Sequence, residues 1–186
     1  MLYHCIDIKK CIPDYHVDNV YALDAKKLHE RGFQVLLVDI DNTLMSYDED
    51  APTDSVRRFV EKVRGEGLEI VLISNNRKKR IKPYANALDV PYVFSAKKPL
   101  KRGFLNALDQ LGASYGKNAV LVVGDQLLTD VYGAKRAGLH AALVRPIRAE
   151  TEKWFTRINR SIEKKILRKI QKRYPEEYKA LELHKR

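Results

Sequence analysis

Continuous apolar runs alternate with stretches of helical period along most of the chain. Phe33 to Val38 is the first such run, and Leu68 to Ile73 (LEIVLI), Ala119 to Val123 (AVLVV) and His140 to Val144 repeat it, with a shorter one at Pro91 to Phe94. Runs apolar at successive positions belong to strands buried on both faces. Between them, Thr53 to Arg64, Lys78 to Leu88, Pro99 to Leu111 and Thr129 to Ala137 carry apolar residues at helical spacing. Ahead of the first run, an irregular stretch leads to Asp24, which caps a short helix that Gly32 ends. Strands alternating with helices predict an α/β chain, a three-layer Rossmann-like fold with one parallel sheet and helices on both faces.

In such sheets the reactive site lies beyond the carboxyl ends of the strands. The residues found there are Asp39-Ile-Asp41-Asn-Thr43 after the first strand and Ser74-Asn75-Asn76 after the second. Lys97-Lys98-Pro99 comes shortly after the third, and Gly124-Asp125-Gln-Leu-Leu-Thr-Asp130 after the fourth. Carboxylates, small hydrogen-bonding groups and an ammonium thus converge on one edge. Any one of these stretches alone reads as a turn, since Asp, Asn and Ser are common where strands end. Their joint placement is the specific signal.

Converging carboxylates repel one another unless a cation sits among them, and an all-oxygen set without histidine or cysteine suits Mg²⁺. Asp39, Asp125 and Asp130 are the candidate ligands. Lys98 is placed to neutralise an anionic substrate, and Ser74, with Asn75 beside it, to hydrogen-bond phosphate oxygens. The paired acids Asp39 and Asp41 suit a division of labour in which one attacks a phosphoryl group and the other moves a proton. Thr43 is a candidate to hold Asp41 or a phosphate oxygen. Asn42 tolerates the backbone angles of a sharp strand exit.

Charge changes the picture at the C-terminal end. Of a formal net charge of +11 over 186 residues, the segment from Arg148 to Arg186 supplies +7, with 13 Lys/Arg against 6 Asp/Glu. Within it Trp154, Ile158, Ile162, Ile166 and Ile170 recur at four-residue steps, with Phe155 and Leu167 beside them, among Arg157, Arg160, Lys164, Lys165, Arg168, Lys169 and Lys172. This predicts a basic amphipathic helix ending near Pro175. Its apolar stripe either packs on the domain or lies on an anionic membrane surface through residues 150–174, with Trp154 and Phe155 near the headgroups. The excess positive charge attracts phosphate-bearing partners of any kind, nucleic acid included. Cys5 and Cys11 lack metal or disulfide spacing, which suits a reducing compartment. With no apolar span of about twenty residues, the chain reads as a soluble cytoplasmic protein with access to the inner face of a membrane. Three segments follow: 1–32 packing on the core, a core at 33–148, and a basic helical extension at 149–186.

The four strand-end motifs, in this order, resemble those of the haloacid dehalogenase (HAD) superfamily of phosphohydrolases. The asparagine of DIDNT, with ISNN, AKKP and GDQLLTD, is similar to the YqeG family of subclass IIIA HAD phosphatases. The resemblance implies Asp39 as nucleophile and Asp41 as general acid/base, with Ser74 and Lys98 gripping the phosphoryl group. It implies Mg²⁺ held by Asp39, Asp125 and the backbone carbonyl of Asp41, with Asp130 ligating the ion or orienting a water. Lys98, paired with Pro99 at a helix start, is preferred over Lys97. The superfamily often carries a cap domain after the first or second motif, but the spacings from Thr43 to Ser74 and from Ser74 to Lys98 leave no room for a substantial one. A capless site suits a substrate that covers it, such as a lipid headgroup, a protein or a nucleic-acid end. Fungal mitochondrial relatives act on phosphatidylglycerophosphate, which makes that lipid the most specific expectation.

Two other readings stand beside it. One keeps the chemistry but directs it to nucleic-acid ends or phosphoproteins. The other, of a different class, is a non-catalytic RNA- or ribosome-binding protein, against which the intact acid cluster argues. The run Lys78-Lys79-Arg80 reads as a solvated helix start, and His4, His16, His29, His140 and His184 show no ligand or triad spacing.

Overall fold

A computed structural model describes residues 6–112, 115–148, 150 and 154–185; of Trp154, Phe155 and Arg157 only the backbone is described. The apolar runs form a single sheet of six parallel strands, β1 (Tyr15–Val17), β2 (Val35–Val38), β3 (Glu69–Ile73), β4 (Tyr92–Val93), β5 (Val120–Gly124) and β6 (His140–Val144), in the order β1-β6-β5-β2-β3-β4. The helices are α1 (Ala25–Glu30), α2 (Asp54–Gly65), α3 (Lys78–Leu88), α4 (Lys101–Asp109), α5 (Tyr132–Ala137), α6 (Trp154–Arg173) and α7 (Pro175–Ala180). Asp24 caps α1 by accepting from Lys27 N–H, and Thr53 caps α2 by accepting from Val56 N–H.

Alternation along the central strands divides the core in two. Leu36, Val38, Ile70 and Leu72 meet α1, α2 and α3 on one face. Val35, Leu37, Val71 and Ile73 meet α4, α5 and the later turns of α6 on the other. Both layers are closed by apolar stripes, which is the dominant stabilising term for a chain of this size. Among the described residues no helix is long and apolar enough to cross a membrane.

Two features depart from the reading of the sequence. The N-terminal stretch is not irregular: a 3-10 turn at Ile8–Cys11 packs against the α4–α6 face, and β1 pairs with β6 from Tyr15 to Val17. Three half-buried residues on a sheet edge are too few to show a period. At the other end, the amphipathic stripe docks only in part. Ile166 and Ile170 are buried and Ile162 and Leu167 half-buried, but Ile158 is 49% exposed. The expected positions of Trp154 and Phe155 near the headgroups lie outside the described side chains.

The order of strands places the site. From β2 the chain runs outward to β3 and β4, then returns to the other side of β2 with β5 and β6. The carboxyl ends of β2 and β5 thus flank the point where strand order reverses, the crevice where open α/β sheets bind ligands. Register brings Val38 level with Leu72 and Val123, so Asp39, Ile73 and Gly124 emerge together.

Candidate active site

Asp39 leaves β2 still bound to the sheet, its N–H donating to Val123 O at 2.8 Å. The next turn is tight. Asn42 adopts φ 63°, in the left-handed region that Asn tolerates, and its N–H donates to Met45 O at 2.6 Å. Its backbone and side-chain oxygens accept from Ile147 and Arg148 N–H, which ties the loop to the segment after β6. Thr43 is buried in the turn, and its Oγ1 makes no hydrogen bond among the described residues.

Lys98, not Lys97, enters the site: Lys98 is buried and Lys97 exposed. Its ammonium donates to Asp39 Oδ1 at 2.5 Å, Asp130 Oδ1 at 2.6 Å and Ile73 O at 3.2 Å. Asn75 fixes the backbone that carries it, accepting from Lys98 N–H at 2.7 Å and donating to Lys98 O at 3.1 Å. Burial disfavours the Lys98 ammonium, but Asp130 and Asp39 outweigh it and raise its pKa. Burial pushes the Asp39 carboxyl well up, with Asp130, Asp125 and Asp41 adding to the rise against the pull of Lys98.

Asp125 and Asp130 complete the acid cluster. One carboxylate oxygen from each of Asp39, Asp125 and Asp130 lies within 4.8 Å of the others, and all three residues are buried. Gly124 makes room for this, since a Cβ there would stand 2.3 Å from Asp130 Cγ. Asp130 sits in a π-type turn (Leu127–Val131) and its Oδ2 accepts from Gln126 N–H at 3.0 Å. Oxygen donors alone, at this spacing, fit a hard divalent cation.

Asp41 is held differently. Its Oδ2 accepts from Asn76 Nδ2 at 2.7 Å and Ser74 Oγ at 3.4 Å, and its Oδ1 from Arg80 Nε at 2.8 Å. Arg80 also reaches the carbonyls of Ser46 and Tyr47. This corrects the reading of Lys78-Lys79-Arg80 as a solvated helix start: Lys78 and Lys79 are exposed, whereas Arg80 is one of the partners of Asp41. Its place two residues into α3, directly after the second motif, was the signal.

The C-terminal helix supplies what the sequence did not reveal. Arg160 reaches from α6 to Asp125, donating to its backbone O at 2.7 Å and pairing with its Oδ2. Glu163, one turn on and buried, accepts from Arg160 at 3.2 Å and from Leu128 N–H at 3.2 Å. Tyr47 and Thr156 share a hydrogen bond beside them. A sign of this was visible: Glu163 is the one acid between Lys153 and Pro175 in an otherwise basic stretch. Thr156 and Asn159 thereby join Asp39, Asp41, Ser74, Asn75, Asn76 and Lys98 in lining a cleft of about 710 Å³.

Comparisons with known proteins give the family. A family model described as haloacid dehalogenase-like hydrolase matches residues 6–138. The chain is 33% identical over 162 residues to a protein of Bacillus subtilis (strain 168) described as probable phosphatase YqeG, covering 87% of this chain and 92% of that protein. Among solved structures it is similar to a HAD phosphatase from Thermococcus onnurineus, at 18% identity and TM-score 0.45, over 66% of this chain and 90% of that one. It is also similar to the putative HAD-hydrolase YfnB from Bacillus subtilis, at 15% identity and TM-score 0.45, over 64% and 92%. The family model and the relative from Bacillus subtilis (strain 168) lead to one assignment: the chain belongs to the haloacid dehalogenase-like hydrolases and is a phosphatase.

Proposed function

We propose that the chain hydrolyses phosphomonoesters through an aspartyl-phosphate on Asp39, with Mg²⁺ as cofactor. The observation that carries this reading is the buried ladder Asp39–Lys98–Asp130 beside Asp125. The buried carboxyl groups of Asp39, Asp41, Asp125, Asp130 and Glu163 share three ion-pair partners, Lys98, Arg80 and Arg160. Carboxyl groups thus outnumber the cations paired with them, an excess that a divalent ion would offset. Asp39, Asp125, the Asp41 carbonyl and Asp130 would hold it. When bound, the ion offsets charge on the phosphoryl oxygens and favours the carboxylate form of Asp39.

The protein's own steps are two. Asp39 attacks phosphorus as the bond to the leaving oxygen breaks, and Asp41 delivers the proton that the departing alcohol takes up. Asp41, now a carboxylate, takes a proton from water, whose oxygen attacks phosphorus, releasing phosphate and restoring Asp39. Lys98, Ser74, Asn75 and Thr43 are the proposed contacts of the phosphoryl oxygens.

The substrate class follows from what surrounds the cleft. Among the described residues the connections between the motifs carry no inserted domain, and the outer face of α6 exposes Lys164, Lys165, Arg168, Lys169, Lys172 and Arg173. These support a phosphorylated lipid headgroup presented at an anionic membrane surface, with phosphatidylglycerophosphate the specific candidate and the inner face of a membrane the place of action. The test is phosphate release from an aryl phosphate, from phosphatidylglycerophosphate in anionic vesicles and from 3′-phosphorylated oligonucleotides. Each is run with Mg²⁺ or with chelator, and with Asp39→Asn as control. Mg²⁺-dependent release, fastest from vesicles and absent in the variant, is expected; faster release from oligonucleotides would overturn the lipid assignment.

A further inference from the structure

The lining of the cleft includes Ile6, Pro99, Leu128 and Tyr132 besides the reacting groups, and Arg136 stands against Pro99 and Tyr132. Among the described residues the side-chain cations lining the cleft are Lys98 and Arg136, and their situations differ. Lys98 is matched by two carboxylates. Arg136, half-buried, makes no ion pair among the described residues. Its Nη1 donates to Pro99 O at 3.4 Å, and its guanidinium lies 5.6 Å from the centre of the Tyr132 ring.

Its position is fixed by packing. Gly133, between Tyr132 and Arg136 on α5, lies so close to α4 and the Lys98–Pro99 turn that a Cβ would stand 2.7 Å from the Phe104 ring and 3.1 Å from Pro99 Cα. The Tyr132 ring then holds the guanidinium from one side, which limits its rotamers and leaves donors for a ligand. A guanidinium set in a partly apolar wall, without a carboxylate to neutralise it, suits a planar pair of anionic oxygens.

Building on the phosphatase reading, we propose that Arg136 binds a second anionic group of the substrate, a phosphodiester linked to the phosphomonoester that Asp39 attacks. The monoester lies against Lys98, the diester reaches Arg136, and the carbon body beyond it lies on Ile6, Leu128 and Tyr132. Arg136 is thus a specificity residue: it touches the part of the substrate that does not react. Selectivity for a two-anion substrate follows from this one contact, and a plain aryl phosphate makes no use of it.

The test compares two soluble substrates, an aryl phosphate and a glycerol phosphodiester bearing a terminal phosphomonoester, in wild type, Arg136→Gln and Arg136→Lys. With the diester-bearing substrate, Arg136→Gln is expected to lower kcat/KM by about 10- to 100-fold, the loss of one charge-assisted contact, mainly through KM. Arg136→Lys is expected to recover part of it, and the aryl phosphate to move far less in either variant. Equal losses on both substrates would show that Arg136 only supports the fold, and no loss on the diester would show that it contacts nothing; either overturns the proposal. The same phosphodiester carried by a 3′-phosphorylated dinucleotide and by a phospholipid in vesicles identifies its source. A dependence on Arg136 seen only with vesicles would point to surface attraction and overturn the subsite. Failure of the wild type to turn over even the aryl phosphate would instead overturn the phosphatase reading, and this one with it.

Discussion

The acids of the cleft and the arginines around it come from different parts of the molecule. Asp39 and Asp125 stand at strand ends, where backbone hydrogen bonds of a parallel sheet set their positions within a residue. Arg80, Arg136 and Arg160 reach in from α3, α5 and α6 on long stems. The strand ends bring together groups that repel one another, which only a rigid scaffold can sustain. The helices bring cations that orient or balance those groups. Rigid placement therefore belongs to the reacting atoms, and adjustable placement to what surrounds them.

Lys98 breaks this division, since it comes from a loop yet sits as deep as the acids. Its replacement is expected to have the largest effect. Lys98→Met should lower turnover of an aryl phosphate by about 100- to 1,000-fold and destabilise the protein by about 3–5 kcal/mol, because Asp39 and Asp130 lose a buried partner. Thermal unfolding with and without Mg²⁺ checks the second part. Added Mg²⁺ should narrow the gap between variant and wild type; an unchanged gap would separate Lys98 from the acid cluster.

A smaller change tests whether the helix arginines act through the acids. Arg80→Gln is expected to cost about 10-fold in kcat, and more with an alkyl phosphate than with an aryl one, because a poor leaving group depends more on the proton from Asp41. Equal losses on both esters would mean that Arg80 does not act through Asp41.

The smallest effect is expected at the opposite edge of the sheet, where an acid also meets a helix cation, away from the acid cluster. Asp14 accepts from Lys135 Nζ at 2.6 Å and from Ala141 N–H at 2.7 Å. Burial works against its charge, but these bonds outweigh it and hold the carboxyl below the ordinary carboxylate range. The stability this gives is present above the unfolded pKa and is lost as pH falls through the depressed folded value. Asp14→Asn should therefore destabilise by about 1 kcal/mol near neutral pH and converge with wild type in acid, while kcat holds. A fall in kcat would show that the two edges are coupled.

The same division explains what could be read in advance. Asp39, Ser74, Lys98 and Asp125 were legible because a parallel sheet converts position after a strand into position in space. Asn42 was legible for its backbone conformation. Arg80 and Arg160 were not, because a helical arginine reads as a solvated face until the partner that captures it is known. Strand β1 was hidden for a similar reason: three residues carry no period, and only the open edge of β6 makes them a strand. The packing of α6 was legible only in part: its later turns close the core as an apolar stripe predicts, while the place of its first turns in the wall of the cleft had no period to announce it.

The central claim is that Asp39 receives the phosphoryl group. The direct measurement is acid quenching of Asp41→Asn during turnover of an aryl phosphate, followed by mass mapping of the peptides. With a good leaving group the first step still runs, and without the Asp41 carboxylate the second is slowed, so a single phosphoryl group on Asp39 is expected. A peptide containing Asp39 that stays unmodified while aryl alcohol is released, or a phosphoryl group on any other residue, would contradict it.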